Sequence, residues 1–214
     1  ENTFLKSIDG QTSLNYEDLR PALTSAIEQS RTEKVREQLK VGGTFGEFPL
    51  PLVTLPEAAG LKSTVSLFTS GHPLDGRSFI LNEAVQYITA EGDRGLNLLV
   101  LSPDGVPGLI ANVNICRGVA QPPVRTDFAN LIREQSEQAK IFIVTTNHLA
   151  KCLPDKQTVE FYLKGLPFKQ WQDIVKRRSF IGVLVDDTVM FEKIGKKVDG
   201  KLSLQIQSEL LAKK

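Results

Sequence analysis

Asp93-Arg94-Gly95-Leu96-Asn97-Leu98-Leu99-Val100-Leu101-Ser102-Pro103-Asp104-Gly105 decides the reading of this chain. An apolar run ends in a turn signal of Pro, Asp and Gly, and a second strand-like run, Leu109 to Ile115, follows at once. The pattern predicts two paired strands near the middle of a compact domain. Alternation places Leu96, Leu98 and Val100 on one face and Asn97, Leu99 and Leu101 on the other. Both faces are mainly apolar, which predicts a central strand covered on both sides.

Further runs on either side predict strands over Thr64–Phe68, Ser78–Leu81, Ala84–Thr89, Ile141–Thr145, Phe180–Val185, Thr188–Lys193 and Lys201–Gln207. In the last, Leu202, Leu204 and Ile206 alternate with polar residues, as in a sheet with one wet face. Asp75-Gly76, Asp104-Gly105 and Asp199-Gly200 are turn formers, and Asp186-Asp187 falls where a hairpin turn is expected. Helices are predicted over Asp127–Lys140, capped by Thr126, from Pro154 to Leu163 with Gly165 as terminator, and over Phe168–Lys176. Strands and helices do not alternate strictly. The expected class is therefore α+β, a compact sandwich of mainly antiparallel strands with flanking helices.

The first 62 residues differ from the rest. Tyr16 to Lys40 has a helical rhythm, with Leu19, Leu23 and Ile27 at four-residue spacing and charged residues between them. Val41 to Lys62 is broken by Gly42, Gly43, Gly46, Pro49, Pro51, Pro56 and Gly60. Residues 1–62 are thus expected to form an amphipathic helix and an extended arm that grips protein subunits of an assembly, with the α+β domain over 63–214.

With 41% hydrophobic and 24% charged residues the 214-residue chain is ordinary globular material. The net charge of +1 gives no general reason to expect a polyanion, and no nucleic-acid partner is expected. Lys176-Arg177-Arg178 and Lys196-Lys197 read as a solvated rim. No apolar run is long enough to span a membrane, so no membrane insertion is expected. Cys116 and Cys152 are open to two readings, one bridge or two free thiols.

Chemistry-bearing motifs are sparse. GxxxxGK[ST], GxGxxG and GxSxG are absent. His72 sits in turn material. His148 and Cys152 have i,i+4 spacing and Cys116 could approach both, but a zinc site needs a fourth ligand and a cysteine nucleophile needs an oriented base. The expectation is a protein that is not an enzyme, with no cofactor and no metal.

The order of elements resembles the interleukin-like epithelial–mesenchymal-transition inducer family, which includes the pancreatic-derived factor. The resemblance rests on Arg94-Gly95-Leu96-Asn97-Leu98-Leu99-Val100-Leu101 followed by a turn and a strand. It also rests on Ser70-Gly71 and Gly76 before that motif, on Ile141-Phe142-Ile143-Val144-Thr145, on Asp155 and Thr158 opening a helix that ends near Leu163-Lys164-Gly165, and on Arg177-Arg178-Ser179-Phe180-Ile181-Gly182. The chain departs from the family at Asn114-Ile115-Cys116-Arg117 and has Phe180 where the family has Trp. The resemblance covers residues 63–195. It implies a non-catalytic recognition module for a carbohydrate or cell-surface ligand, on an extracellular or virion surface. Arg177 and Asp155 are the implied sugar-contacting residues, with Trp171 or Phe180 as a stacking face. The alternative function is a structural connector in a viral tail, baseplate or other large assembly.

Overall fold

The computed structural model describes residues 51–70, 77–81, 84–87, 94–118, 125–137, 139–147, 149, 152–196 and 201–212. One unit runs from Leu50 to Lys214. It contains two five-stranded sheets. The first sheet has the order β1-β10-β2-β3-β4, from β1 (Leu52–Leu55), β10 (Lys201–Ser208), β2 (Val65–Ser70), β3 (Arg77–Leu81) and β4 (Ala84–Tyr87). The second has the order β6-β5-β7-β8-β9, from β6 (Pro107–Val113), β5 (Gly95–Leu101), β7 (Ile141–Asn147), β8 (Phe180–Val185) and β9 (Thr188–Ile194). All pairings are antiparallel except β1 with β10. The α+β class with mainly antiparallel strands and flanking helices is what the sequence led us to expect.

The pleat of β5 splits its side chains between two cores. Leu96 and Leu98 are fully buried beneath the helices, with Val100 packed against them. Leu99 and Leu101 point into the space between the sheets, beside Ile141, Ile143, Ile181 and Val183, and meet Val65, Leu67, Leu204 and Ile206 of the first sheet. The second sheet is therefore the middle layer, with β5, β7 and β8 covered on both faces. Gly95 opens β5 at φ +117°, where a Cβ would lie 1.8 Å from the carbonyl oxygen of Val113. Only glycine fits at this point of the Arg94-Gly95 motif. The Pro103-Asp104-Gly105 turn closes with Gly105 N–H donating to the Ser102 carbonyl at 2.9 Å and Val106 N–H to Ser102 Oγ at 3.0 Å. Asp186 and Asp187 form the two-residue β8–β9 turn, with Asp186 at φ 51°.

Residues 51–62 do not behave as an arm. Leu52–Leu55 adds β1 to the edge of the first sheet, and Val53, Leu55, Ala59 and Leu61 are buried in the inter-sheet core. Pro51 and Pro56 flank the strand rather than interrupt it, which an edge position tolerates. The expected helix over 16–40, and everything else in residues 1–50, lies outside the described residues, as do Asp75-Gly76 and Asp199-Gly200.

The helices are shorter than the sequence rhythm suggested. α1 (Phe128–Gln135) is capped by Asp127, not Thr126: the Asp127 carboxylate accepts from Asn130 N–H at 2.8 Å. It ends where the Ser136 hydroxyl donates to the Arg133 carbonyl. α2 (Lys156–Leu163) is capped by Asp155, because Pro154 is held in a bridge to Cys116. Gly165 does not end α2 through a left-handed turn. Its value is space, since a Cβ there would lie 2.9 Å from that of Ala129 on α1. The expected helix over Phe168–Lys176 is a 3-10 turn, Trp171–Asp173, running into α3 (Ile174–Arg177). The Glu192 carboxylate on β9 takes the N–H groups of Lys169 and Gln170, which holds this chain against the sheet and delays the helix. A final turn of helix, α4 (Glu209–Ala212), follows β10.

Candidate recognition surface

α2 buries Thr158, Val159, Tyr162 and Leu163 toward the middle sheet. Phe161 lies off that stripe and stays 52% exposed, its ring edge-on to Tyr162 at 4.9 Å between centroids. Because Gly165 lets α2 approach α1, the start of α1 stands beside the outer face of α2. Between them is an open groove of about 530 Å³ lined by Asp127, Gln157, Glu160, Phe161, Lys164 and Gly165. Lys164 Nζ lies 3.9 Å from Glu160 Oε1, one turn away on α2. Asp127 Oδ1 and Oδ2 accept from the backbone and side-chain amides of Asn130, which fixes the carboxylate at the groove wall. The surface thus offers an aromatic face, two carboxylates, an amide and an ammonium. That set can stack on an apolar ring face and exchange hydrogen bonds with hydroxyl groups.

The residues singled out from the sequence lie elsewhere, and they do not converge. Asp155 caps α2: its Oδ2 accepts from the N–H and the hydroxyl of Thr158, both at 2.8 Å. Those two bonds, with the nearby Arg117 charge, hold its carboxyl below the ordinary carboxylate value against the opposing effect of partial burial. Asp155 N–H donates to the Ile115 carbonyl, just beyond the end of β6. Arg177 closes α3 and its guanidinium donates to the carbonyl of Lys196, just beyond the end of β9. β6 and β9 are opposite edges of the middle sheet. Four strand spacings, about 19 Å, separate those edges. Trp171 is half-buried against the helix-side core, and Phe180 is fully buried there with its ring 5.4 Å from that of Phe168. The Phe168 ring fits because position 182 is glycine: a Cβ would lie 2.4 Å from it.

Cys116 and Cys152 form a disulfide with their Cα atoms 5.5 Å apart. It ties the end of β6 to the approach to α2, alongside the bond from Arg117 N–H to the Leu153 carbonyl. His72 and His148 lie outside the described residues. Among the described residues no group of three His, Cys, Asp or Glu side chains is placed to hold a metal ion, and no helix is long and apolar enough to cross a membrane.

The sequence contained one usable sign of the groove. In Lys156-Gln157-Thr158-Val159-Glu160-Phe161-Tyr162-Leu163, an aromatic residue stands outside the apolar stripe of an amphipathic helix, between Glu160 and Lys164. Asp127 carried no such sign, because it reaches the groove only through the packing of α1 on α2. No protein-family model matches the chain, and comparison with curated proteins finds no relative.

Proposed function

We propose that the sandwich is a non-catalytic recognition module for a carbohydrate, with its ligand in the α1–α2 groove. The observation that carries this reading is Phe161. Its exposed ring lies among Asp127, Gln157, Glu160 and Lys164, the combination that a pyranose, with one apolar face and a rim of hydroxyls, uses best. The resemblance to the inducer family, which implies a carbohydrate or cell-surface ligand, agrees with it. The Cys116–Cys152 bridge supports an extracellular or virion-surface setting, where disulfides persist. Glycan-array binding by the intact chain tests the reading. Wild-type protein should bind a subset of glycans and Phe161→Ala should lose that signal while keeping its melting temperature. Arg177→Ala should retain it, because Arg177 lies at the β9 edge. Silence of the folded protein across a broad array, or full binding by Phe161→Ala, overturns the groove as the site. Loss in Arg177→Ala alone moves the site to Arg177 and Trp171.

A second reading, a structural connector in a viral tail, baseplate or other assembly, is favoured by one observation. The amphipathic pattern of residues 16–40 precedes a folded unit that starts at Leu50. Its gripping segment is then residues 1–49. Deletion of those residues should abolish assembly and leave the sandwich folded. A deletion reaching residue 62 tests nothing, since it removes β1 and four buried side chains from the core.

A further inference from the structure

The face that the middle sheet turns toward the first sheet changes character along its length. Toward one end it carries Leu99, Leu101, Ile141, Ile143 and Val183. Toward the other, the same face carries Asn97 on β5, Thr145 and Asn147 on β7, and Ser179 just before β8, each no more than 1% exposed. The pairing sets Asn97 opposite Thr145 and Thr145 opposite Ile181, so Asn147 falls opposite Ser179 two residues further on. Thr69 of β2 closes over this end, its Oγ1 donating to the Thr146 carbonyl at 2.8 Å. Two of the buried hydroxyls, Thr145 Oγ1 and Ser179 Oγ, have no hydrogen-bond partner among the described residues. A buried hydroxyl left so carries its full desolvation penalty, and folded proteins rarely leave two on one face of neighbouring strands.

We propose that this end of the inter-sheet space is a binding site for internal water, which bridges Thr145 Oγ1 to Ser179 Oγ beside the Asn147 amide. Three features select that occupant. The first is spacing. Thr145 and Ser179 are diagonal neighbours on one face, with Cβ atoms about 7 Å apart. That is too far for two short hydroxyls to bond directly and within the span of two bonds of about 2.8 Å through one water. The second is charge. Thr69, Asn97, Thr145, Asn147 and Ser179 are all neutral, so nothing here balances an ion. The third is enclosure. Side chains this deeply buried admit water more readily than a larger solute, and a buried water makes about three hydrogen bonds, which two hydroxyls and an amide supply. Apolar packing toward the Leu101 end offers water no such partners.

Water–protein cross-relaxation in the intact, isotope-labelled chain tests this, together with Thr145→Val, Ser179→Ala and the double variant. The wild type should show long-lived water contacts at the Asn147 side-chain amide, and the double variant should lose them. Each single variant removes a partner of the bound water, so each should lower the melting temperature by roughly 2–4 °C. The double variant should lower it by less than the sum, because both hydroxyls hold the same water. Absence of long-lived water at Asn147 in the folded wild type overturns the inference. A melting temperature raised by either single variant does so too, since removal of a hydroxyl that bonds nothing relieves its desolvation penalty. Strictly additive losses overturn the shared bridge. An organic molecule released from the folded protein on denaturation, detected by mass spectrometry, overturns water as the occupant. Glycan binding on α2 is read separately, so failure of either idea leaves the other standing.

Discussion

Asp155 shows how a residue can carry a functional expectation and a structural duty in the same atoms. Its Oδ2 is occupied twice by Thr158, and its role as the cap of α2 is complete without a ligand. Asp155→Ala should therefore cost about 1 kcal/mol near neutral pH. The sign of the pH dependence follows from the lowered carboxyl. A carboxylate more acidic in the folded chain stabilises it above the ordinary value of 3.8, and that contribution fades as the pH falls through the lower folded value. Urea midpoints of wild type and Asp155→Ala should differ at neutral pH and approach one another in acid. A gap that widens in acid would refute this role. Glycines divide differently. Gly95 announced itself by opening an apolar run, and its left-handed backbone against Val113 explains why. Gly182 gave no sign, because its need arises from the Phe168 ring, brought there by a different segment.

Elements with a strong local pattern were legible. β5 runs from Gly95 to Leu101 with the two faces the alternation assigned, because a period of two leaves a strand no other way to bury four leucines in two cores. Leu98→Asp and Leu99→Asp each place a charge in one of the two cores and should each destabilise by several kcal/mol in thermal or urea unfolding. An unchanged melting temperature in either variant contradicts the two-sided burial of β5. β1 was missed because four residues between prolines have too little pattern, and its parallel partner β10 comes from the far end of the chain. The helix over Phe168–Lys176 was overdrawn for a similar reason: Glu192, distant in sequence, takes the N–H groups that precede it. The cysteine spacing left bridge and thiols equally open, and the fold closes the question by bringing the β6 end to the α2 approach. The bridge encloses a separation of 36 residues. Its removal in Cys116→Ala/Cys152→Ala should cost about 3–4 kcal/mol. A melting temperature insensitive to both the double variant and reductant would show that the bridge adds nothing.

At the scale of the whole Leu50–Lys214 unit, three layers bear on what is left for recognition. The middle sheet spends both faces on cores, and the inner face of the first sheet is spent on the inter-sheet core. Among the described residues the outer surface of the helices carries the α1–α2 groove, and α2 presents Phe161 there. The sequence pointed instead to Arg177, Asp155 and Trp171, by analogy of motif. Motif order preserves the succession of elements, but the distance between side chains depends on sheet order, which puts the Asp155 and Arg177 anchors at opposite edges. The groove depends on helix packing through Gly165 and Ala129, a tertiary contact that no local window contains. Chemical-shift mapping of the intact, isotope-labelled chain with an array-selected glycan tests the proposed site most directly. The account predicts saturable shifts confined to Asp127, Gln157, Glu160, Phe161, Lys164 and Gly165. Saturable shifts centred on Trp171, Arg177 and Lys196, with α2 unmoved, would contradict it.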